Sequence, residues 1–181
     1  CYDELANQLD CIFALCHKWG GLLCHAHSEN PSCGWADPVT GRSSDVWSEG
    51  LGWYTMVLTH AVRALPELHP AHSRLRGRLR ELMDTLCTLQ GADGLWYQGV
   101  DCPERPDNWT DTSGSAMFLY SMMEASVLFP SHPQAWDTAV HTGLAVCRWD
   151  TGNISSIPVC PTQKKGLRLS CGRKNGRNGK H

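Results

Sequence analysis

The sequence has no apolar run approaching the roughly 20 residues that a membrane-spanning helix needs. A helical membrane anchor within it is therefore not expected. No basic-then-apolar leader opens it, and Tyr2 to Phe13 already reads as helix, so the start is expected to be a cut within a domain. The ten cysteines include no C-x-x-C pair, which removes the usual zinc and redox spacings. The nearest approach to a ligand cluster is Cys24-His25-Ala26-His27 with Cys33, and neither a metal nor another cofactor is expected. Cys11, Cys16, Cys87 and Cys147 fall in helical apolar patterns and are read as buried free thiols. Acidic residues vanish after Asp150, where Lys164, Lys165, Arg168, Arg173, Lys174, Arg177 and Lys180 leave the tail basic and the body acidic. That tail has no aromatic residue beyond Trp149 for base stacking, so nucleic acid is not an expected partner. The division expected is a folded body over 1–150 and a basic, poorly ordered tail over 151–181.

Alternating β-branched runs are also missing, which excludes a large sheet. Apolar residues instead recur at helical spacing in five segments. These are Leu5 to Cys16, Trp53 to Ala64, Leu75 to Leu89, Ala116 to Met123, and Ala135 to Cys147. Pro66 with Pro70, and Pro130 with Pro133, separate successive helices over short distances. Longer segments carrying Gly21-Leu22-Leu23, Gly94-Leu95-Trp96 and Gly152-Asn153-Ile154 follow the first, third and fifth. Short and long connections thus alternate, as in repeated αα-hairpins that bury their faces against neighbours and gather their long loops at one end. The fold class is all-α, and the chain makes about half of a closed ring.

The long connections concentrate tryptophan, histidine, carboxylates and hydroxyls. Three clusters carry them: His25 to Glu29; Trp35-Ala36-Asp37-Pro38 leading to Trp47-Ser48-Glu49-Gly50-Leu51-Gly52-Trp53-Tyr54; and Trp96-Tyr97-Gln98 leading to Asn108 through Ser113. Flat indole faces suit the CH faces of sugar rings, while fixed polar groups suit their hydroxyls. An oligosaccharide is the expected ligand. Each cluster has a plainer reading too. Trp53 and Tyr54 could begin a helix and fill the ring interior, Asp111 with Ser113 could cap a helix, and His25 could be a structural hydrogen-bonding residue.

Four ordered motifs resemble one family. Ser32-Cys33-Gly34-Trp35-Ala36-Asp37-Pro38-Val39-Thr40-Gly41, Trp47-Ser48-Glu49-Gly50-Leu51-Gly52-Trp53, Gly94-Leu95-Trp96-Tyr97-Gln98, and Asp111-Thr112-Ser113-Gly114-Ser115-Ala116-Met117-Phe118 are similar to the unsaturated rhamnogalacturonyl hydrolases. Those form glycoside hydrolase family 105, related to the unsaturated glucuronyl hydrolases of family 88. The resemblance runs from about Tyr2 to Cys147. It implies an (α/α)6 six-hairpin toroid, of which this chain is roughly the second half of the ring. It also implies pectin degradation: hydration of the C4=C5 double bond in an unsaturated galacturonyl unit, giving a hemiketal that falls apart; the compartment expected is the cytoplasm. By the resemblance His25 is the catalytic histidine, and Trp47, Glu49, Trp53, Trp96, Asp111 and Ser113 contact substrate.

Two departures from the family pattern stand out. Glu49 occupies a position that is usually arginine, and His27 one that is usually tryptophan. The family's proton-transferring aspartate sits in a W-x-D segment one hairpin earlier, and no such segment precedes the first helix. The chain alone is expected to be inactive, and the competing expectation is a non-catalytic remnant with weak or no sugar binding. A toroidal sugar epimerase or terpene cyclase is a third reading, the cyclase disfavoured by the lack of aspartate-rich metal motifs. The sequence leaves oligomeric state open.

Overall fold

The structure, a computed structural model, describes residues 1–30 and 32–147. The expected basic tail and the Gly152 turn lie outside these residues. Five helices are present: α1 (Tyr2–Cys16), α2 (Ser48–Ala64), α3 (His72–Leu89), α4 (Thr112–Leu128) and α5 (Gln134–Cys147). The strands described are two residues long, β1 (Trp96–Tyr97) and β2 (Thr110–Asp111), paired antiparallel with Trp96 opposite Asp111. Both lie in the long α3–α4 connection. The all-α reading holds.

Each helix follows from its apolar spacing. On α3, Leu75, Leu79, Leu82, Met83 and Leu86 form one buried stripe at 3.6-residue period, and the opposite face carries arginine and glutamate. α4 is apolar nearly all round, the pattern of a helix packed on more than one side. α2 and α4 run parallel and in register. Ser48 and Gly114 meet at their N-termini, Gly52 faces Met117, Tyr120 reaches His60, and Arg63 pairs with Glu124 near their C-termini. The close approach depends on glycine. A Cβ at Gly114 would stand 2.7 Å from the Ser48 Cβ, and one at Gly52 would stand 2.8 Å from the Met117 sulfur. Thr55 and Thr59, both buried in α2, donate their hydroxyls to carbonyls one turn back, which makes their burial tolerable.

α3 and α5 pack outside this pair. Trp136 of α5 is fully buried and donates its indole N–H to Asp84 at 2.8 Å, tying α5 to α3. α1 buries Ala6 and Leu9 in the core and is tied further by charge: Asp10 accepts from Arg74 and Arg78, and the Arg78 guanidinium lies 4.0 Å from the centre of the Phe13 ring. Among the described residues no helix is long and apolar enough to cross a membrane.

The cysteines are free where described, but their burial differs from expectation. Cys11 is exposed, Cys16 and Cys87 are half-buried, and Cys24 is the buried one. Cys11 misses the interior because α1 buries only the stripe around Ala6 and Leu9.

Candidate active site

The long connections meet at one end of the helices, where the N-termini of α2 and α4 lie. After α1 the chain reverses through Gly20 and Gly21, whose φ of 58° and 77° belong to the left-handed region that favours glycine. Residues 22 to 24 then run back along the end of α1: His17 and Leu23 form an antiparallel bridge, and the Cys24 N–H donates to the Cys16 carbonyl at 2.9 Å. Arg42 closes this end of α1 by donating to the Leu15 and Ala14 carbonyls at 2.7 and 3.2 Å, a cation at a helix C-terminus. Asp101 joins the two long connections, accepting from Lys18 at 2.6 Å and from the Val46 N–H at 3.2 Å.

His25 emerges from this framework, exposed. Its Nδ1 lies 3.2 Å from the Asp45 carbonyl and 3.1 Å from the Ser43 hydroxyl. A carbonyl only accepts, so the Asp45 contact favours the hydrogen on Nδ1 and leaves Nε2 as the free acceptor. Burial works to raise the Asp45 carboxyl, but hydrogen bonds from Arg105 and Ser44 and the charges of Arg105 and Lys18 hold it below its ordinary value. The segment beneath His25 is thus fixed by an ionised, bridged aspartate. Trp47 meets the imidazole edge to face, with ring centres 6.4 Å apart and planes at 86°.

The aromatic run that the sequence presents as a loop is the start of α2. Trp47 is its N-cap, Glu49 sits in its first turn, and Trp53 stands on its second turn. Gly50 fills the space between its neighbours: a Cβ there would lie 3.2 Å from the Trp47 indole and 3.6 Å from the His25 Cβ.

A groove of about 470 Å³ opens between α1, residues 23–27 and α2. His25, His27, Trp53 and Tyr54 line it above an apolar floor of Leu9, Ile12, Leu51 and Val57. Trp53 is 57% exposed and offers its indole to this space. Burial pushes the Tyr54 hydroxyl up to about 12, and that oxygen has no hydrogen-bond partner among the described residues.

The remaining expected residues go elsewhere. Trp47 flanks His25 at the rim, 39% exposed. Glu49 is half-buried beside it, outside the groove lining, and pairs with no cation among the described residues. Trp96 requires correction. It is fully buried, stacks edge-on against Phe118, and donates its indole N–H to the Leu86 carbonyl at 2.8 Å. That placement makes it core, not a sugar platform. Asp111 caps α4, accepting from the Ser113 and Gly114 N–H groups and from the Ser48 hydroxyl. Ser113 is exposed and donates its hydroxyl to Asp111 at 2.9 Å. Both set the start of α4 against α2, the plainer capping arrangement, and neither lines the groove.

Two aspartates in suggestive places are also structural. Asp10 is held below its ordinary value, above all by the Arg74 hydrogen bond, with burial opposing and Arg78 adding to it. Trp35-Ala36-Asp37 has the W-x-D form, but Asp37 accepts from the Thr40 N–H and hydroxyl and the Val39 N–H in an exposed turn away from the groove. Among the described residues no group of three His, Cys, Asp or Glu side chains is arranged to hold a metal. Ser43 and Gly50 are site residues that sequence reasoning missed. Gly50 had a signal, as part of the motif carrying Trp47 and Trp53, whereas the Ser43 contact with His25 had none.

Known proteins share this fold. A protein of Agrobacterium fabrum named Protein Atu3128 and the 24.9 kDa protein in picA locus of Rhizobium radiobacter are each 34% identical over 126 residues. Each alignment covers 70% of this chain and 54% of the relative, so the chain spans about half the length of these curated relatives. Among solved structures, a family 105 glycoside hydrolase from C. acetobutylicum superposes with a TM-score of 0.72 at 27% identity, over 80% of this chain and 40% of that one. A family 88 glycosyl hydrolase from Bacteroides vulgatus shares the fold at a TM-score of 0.61 and 18% identity, over 76% and 38% of the two chains. These neighbours make the described helices part of an all-α toroid. The model of Glycosyl Hydrolase Family 88 matches residues 2–135, and the chain belongs to that family.

Proposed function

We propose that this chain supplies the histidine and tryptophan wall of a site that hydrolyses unsaturated galacturonyl-rhamnose oligosaccharides from pectin. The observation that carries the reading is the placement of His25 and Trp53 on one groove, with His25 Nδ1 against the Asp45 carbonyl. In this reading the Trp53 face packs on the sugar ring, and Trp47 holds the imidazole from its edge. Water adds across C4=C5, with a proton going to one carbon and hydroxide to the other, and the hemiketal so formed expels the remaining saccharide. His25 Nε2, as a free acceptor, orients the water or takes its proton. The proton for carbon comes from an aspartate on another hairpin, because Asp10 and Asp37 are engaged in structural bonds away from His25. The compartment proposed is the cytoplasm, where the free thiols described here would persist.

The test follows loss of the substrate's conjugated ultraviolet absorbance. The 181-residue chain is expected to give no turnover, since general acid-base catalysis contributes about 10²- to 10⁴-fold and its donor is absent. Fusion to a hairpin carrying the W-x-D segment should confer activity that His25→Ala removes. Turnover by the chain alone would refute the division of labour, and a fusion that binds no oligosaccharide would favour the non-catalytic remnant.

A further inference from the structure

The groove wall contains a cysteine pair that no step of the proposed reaction uses. Cys16 is the last residue of α1, and Cys24 directly precedes His25. The His17–Leu23 bridge, with Lys18 N–H donating to Leu22 and Cys24 N–H to Cys16, both at 2.9 Å, brings the Cys24 backbone against that of Cys16 at the end of α1. Neighbouring backbones joined by a hydrogen bond of this kind lie about 5 Å apart. Disulfides span Cα separations of about 4.4–6.8 Å. Both residues line the same groove, and the Cys24 thiol is near enough to act on that of Cys16.

We propose that Cys16 and Cys24 form a reversible disulfide that staples the end of α1 to the segment carrying His25, with a small-molecule disulfide such as oxidised glutathione as the oxidant. The Cys16 thiolate attacks one glutathione sulfur and releases a glutathione thiolate. Cys24, losing its proton to solvent, then attacks the Cys16 sulfur and expels the second glutathione. The protein loses two hydrogens, and the glutathione disulfide becomes two thiols. Closing the bond removes the Cys24 thiol from the Ala26 carbonyl, 3.5 Å away, freeing that carbonyl beside His25. Burial, with the neighbouring Cys24, pushes the Cys16 thiol up to about 11, so the reaction is slow at neutral pH and quickens as pH rises. This inference stands on backbone pairing and does not depend on the reaction proposed for the groove.

The full chain is incubated, folded, with oxidised glutathione at about pH 8.5; remaining thiols are alkylated, and tryptic peptides are weighed. Lys18 lies between the two cysteines, so trypsin separates them unless they are joined. The expected product is a Cys16–Cys24 cross-link, forming about tenfold faster per pH unit below pH 10 and reversed by dithiothreitol. In Cys24→Ser, Cys16 should stop at the glutathione adduct. A wild-type chain that also stops there overturns the proposal. So does pairing of Cys16 with other cysteines as often as in the urea-unfolded chain.

Discussion

Two glycine-to-alanine substitutions in helices should move stability in opposite directions, for reasons visible only in the packing. In an unstrained helix interior, Gly to Ala stabilises by roughly 0.5–1 kcal/mol, through reduced backbone freedom in the unfolded chain. Gly77 on α3 is exposed, and a Cβ there meets nothing within 4 Å. Gly77→Ala should therefore collect the whole gain. Gly114 stands at the third position of α4, where a Cβ would meet the Ser48 Cβ at 2.7 Å and the Ser48 carbonyl carbon at 2.9 Å. The second contact is backbone, so α2 and α4 must separate. Overpacking of this kind costs about 1–3 kcal/mol, which exceeds the propensity gain and leaves Gly114→Ala about 1–2 kcal/mol less stable than the parent. For a domain of this size about 1 kcal/mol moves the melting midpoint by 2–4 °C. Thermal denaturation by circular dichroism should place Gly77→Ala about 3 °C above the parent and Gly114→Ala about 3–6 °C below it. Equal upward shifts would mean that α2 and α4 do not meet in this register.

Asp111→Ala removes the α4 cap, worth about 0.5–2 kcal/mol. It also strands the fully buried Ser48 hydroxyl, adding about 1–3 kcal/mol. Urea midpoints should show the combined loss for Asp111→Ala, whereas Asp111→Asn, still able to cap, should keep most of the parent stability. The Asp10 carboxyl is held below its ordinary 3.8 first by Arg74, so its contribution is present above that value and lost as pH falls through the depressed folded value. Urea titrations between pH 6 and pH 2 should show a steeper acid loss for the parent than for Asp10→Asn; parallel curves would refute the role given to this pair. Because Glu49 lies outside the groove lining, Glu49→Arg should act on a galacturonate oligosaccharide through longer-range charge and tighten binding by about 1 kcal/mol, roughly fivefold. Calorimetry should find that gain shrinking with salt, and unchanged affinity would remove Glu49 from the site.

Helix number and order were legible because each helix buries a continuous stripe, and a stripe is a local pattern. Helix starts were less so. α2 begins at Ser48, several residues ahead of its apolar periodicity, because its first turns use Gly50 and Gly52 to admit Trp47 and Met117. Glycine in a sequence reads as a break; here it marks close approach. Trp96 shows the converse error. A tryptophan in a long polar connection resembles a binding platform, but pairing of β1 with β2 turns it inward, and its N–H finds Leu86 on the preceding helix. The His25–Ser43 contact spans 18 residues of irregular chain, and no periodicity announces it.

The two faces of the inner helices explain why the site is a wall. α2 and α4 bury one side against α3 and α5, and on the other they expose Trp53, Val57, Tyr120, Met123 and Val127. A stripe of that composition on two parallel helices is what a toroid turns toward its centre, and it continues into the groove through Trp53 and Val57. Hydration of a double bond requires one positioned water and exclusion of the rest. The Asp45 carbonyl can fix the imidazole, and Trp47 can hold its edge, without any help from across the ring. Water exclusion is different in kind, because it depends on surfaces facing one another. Orientation is therefore open to the residues described here, whereas water exclusion needs facing surfaces that a longer chain can supply, and this chain covers 40% of the family 105 neighbour.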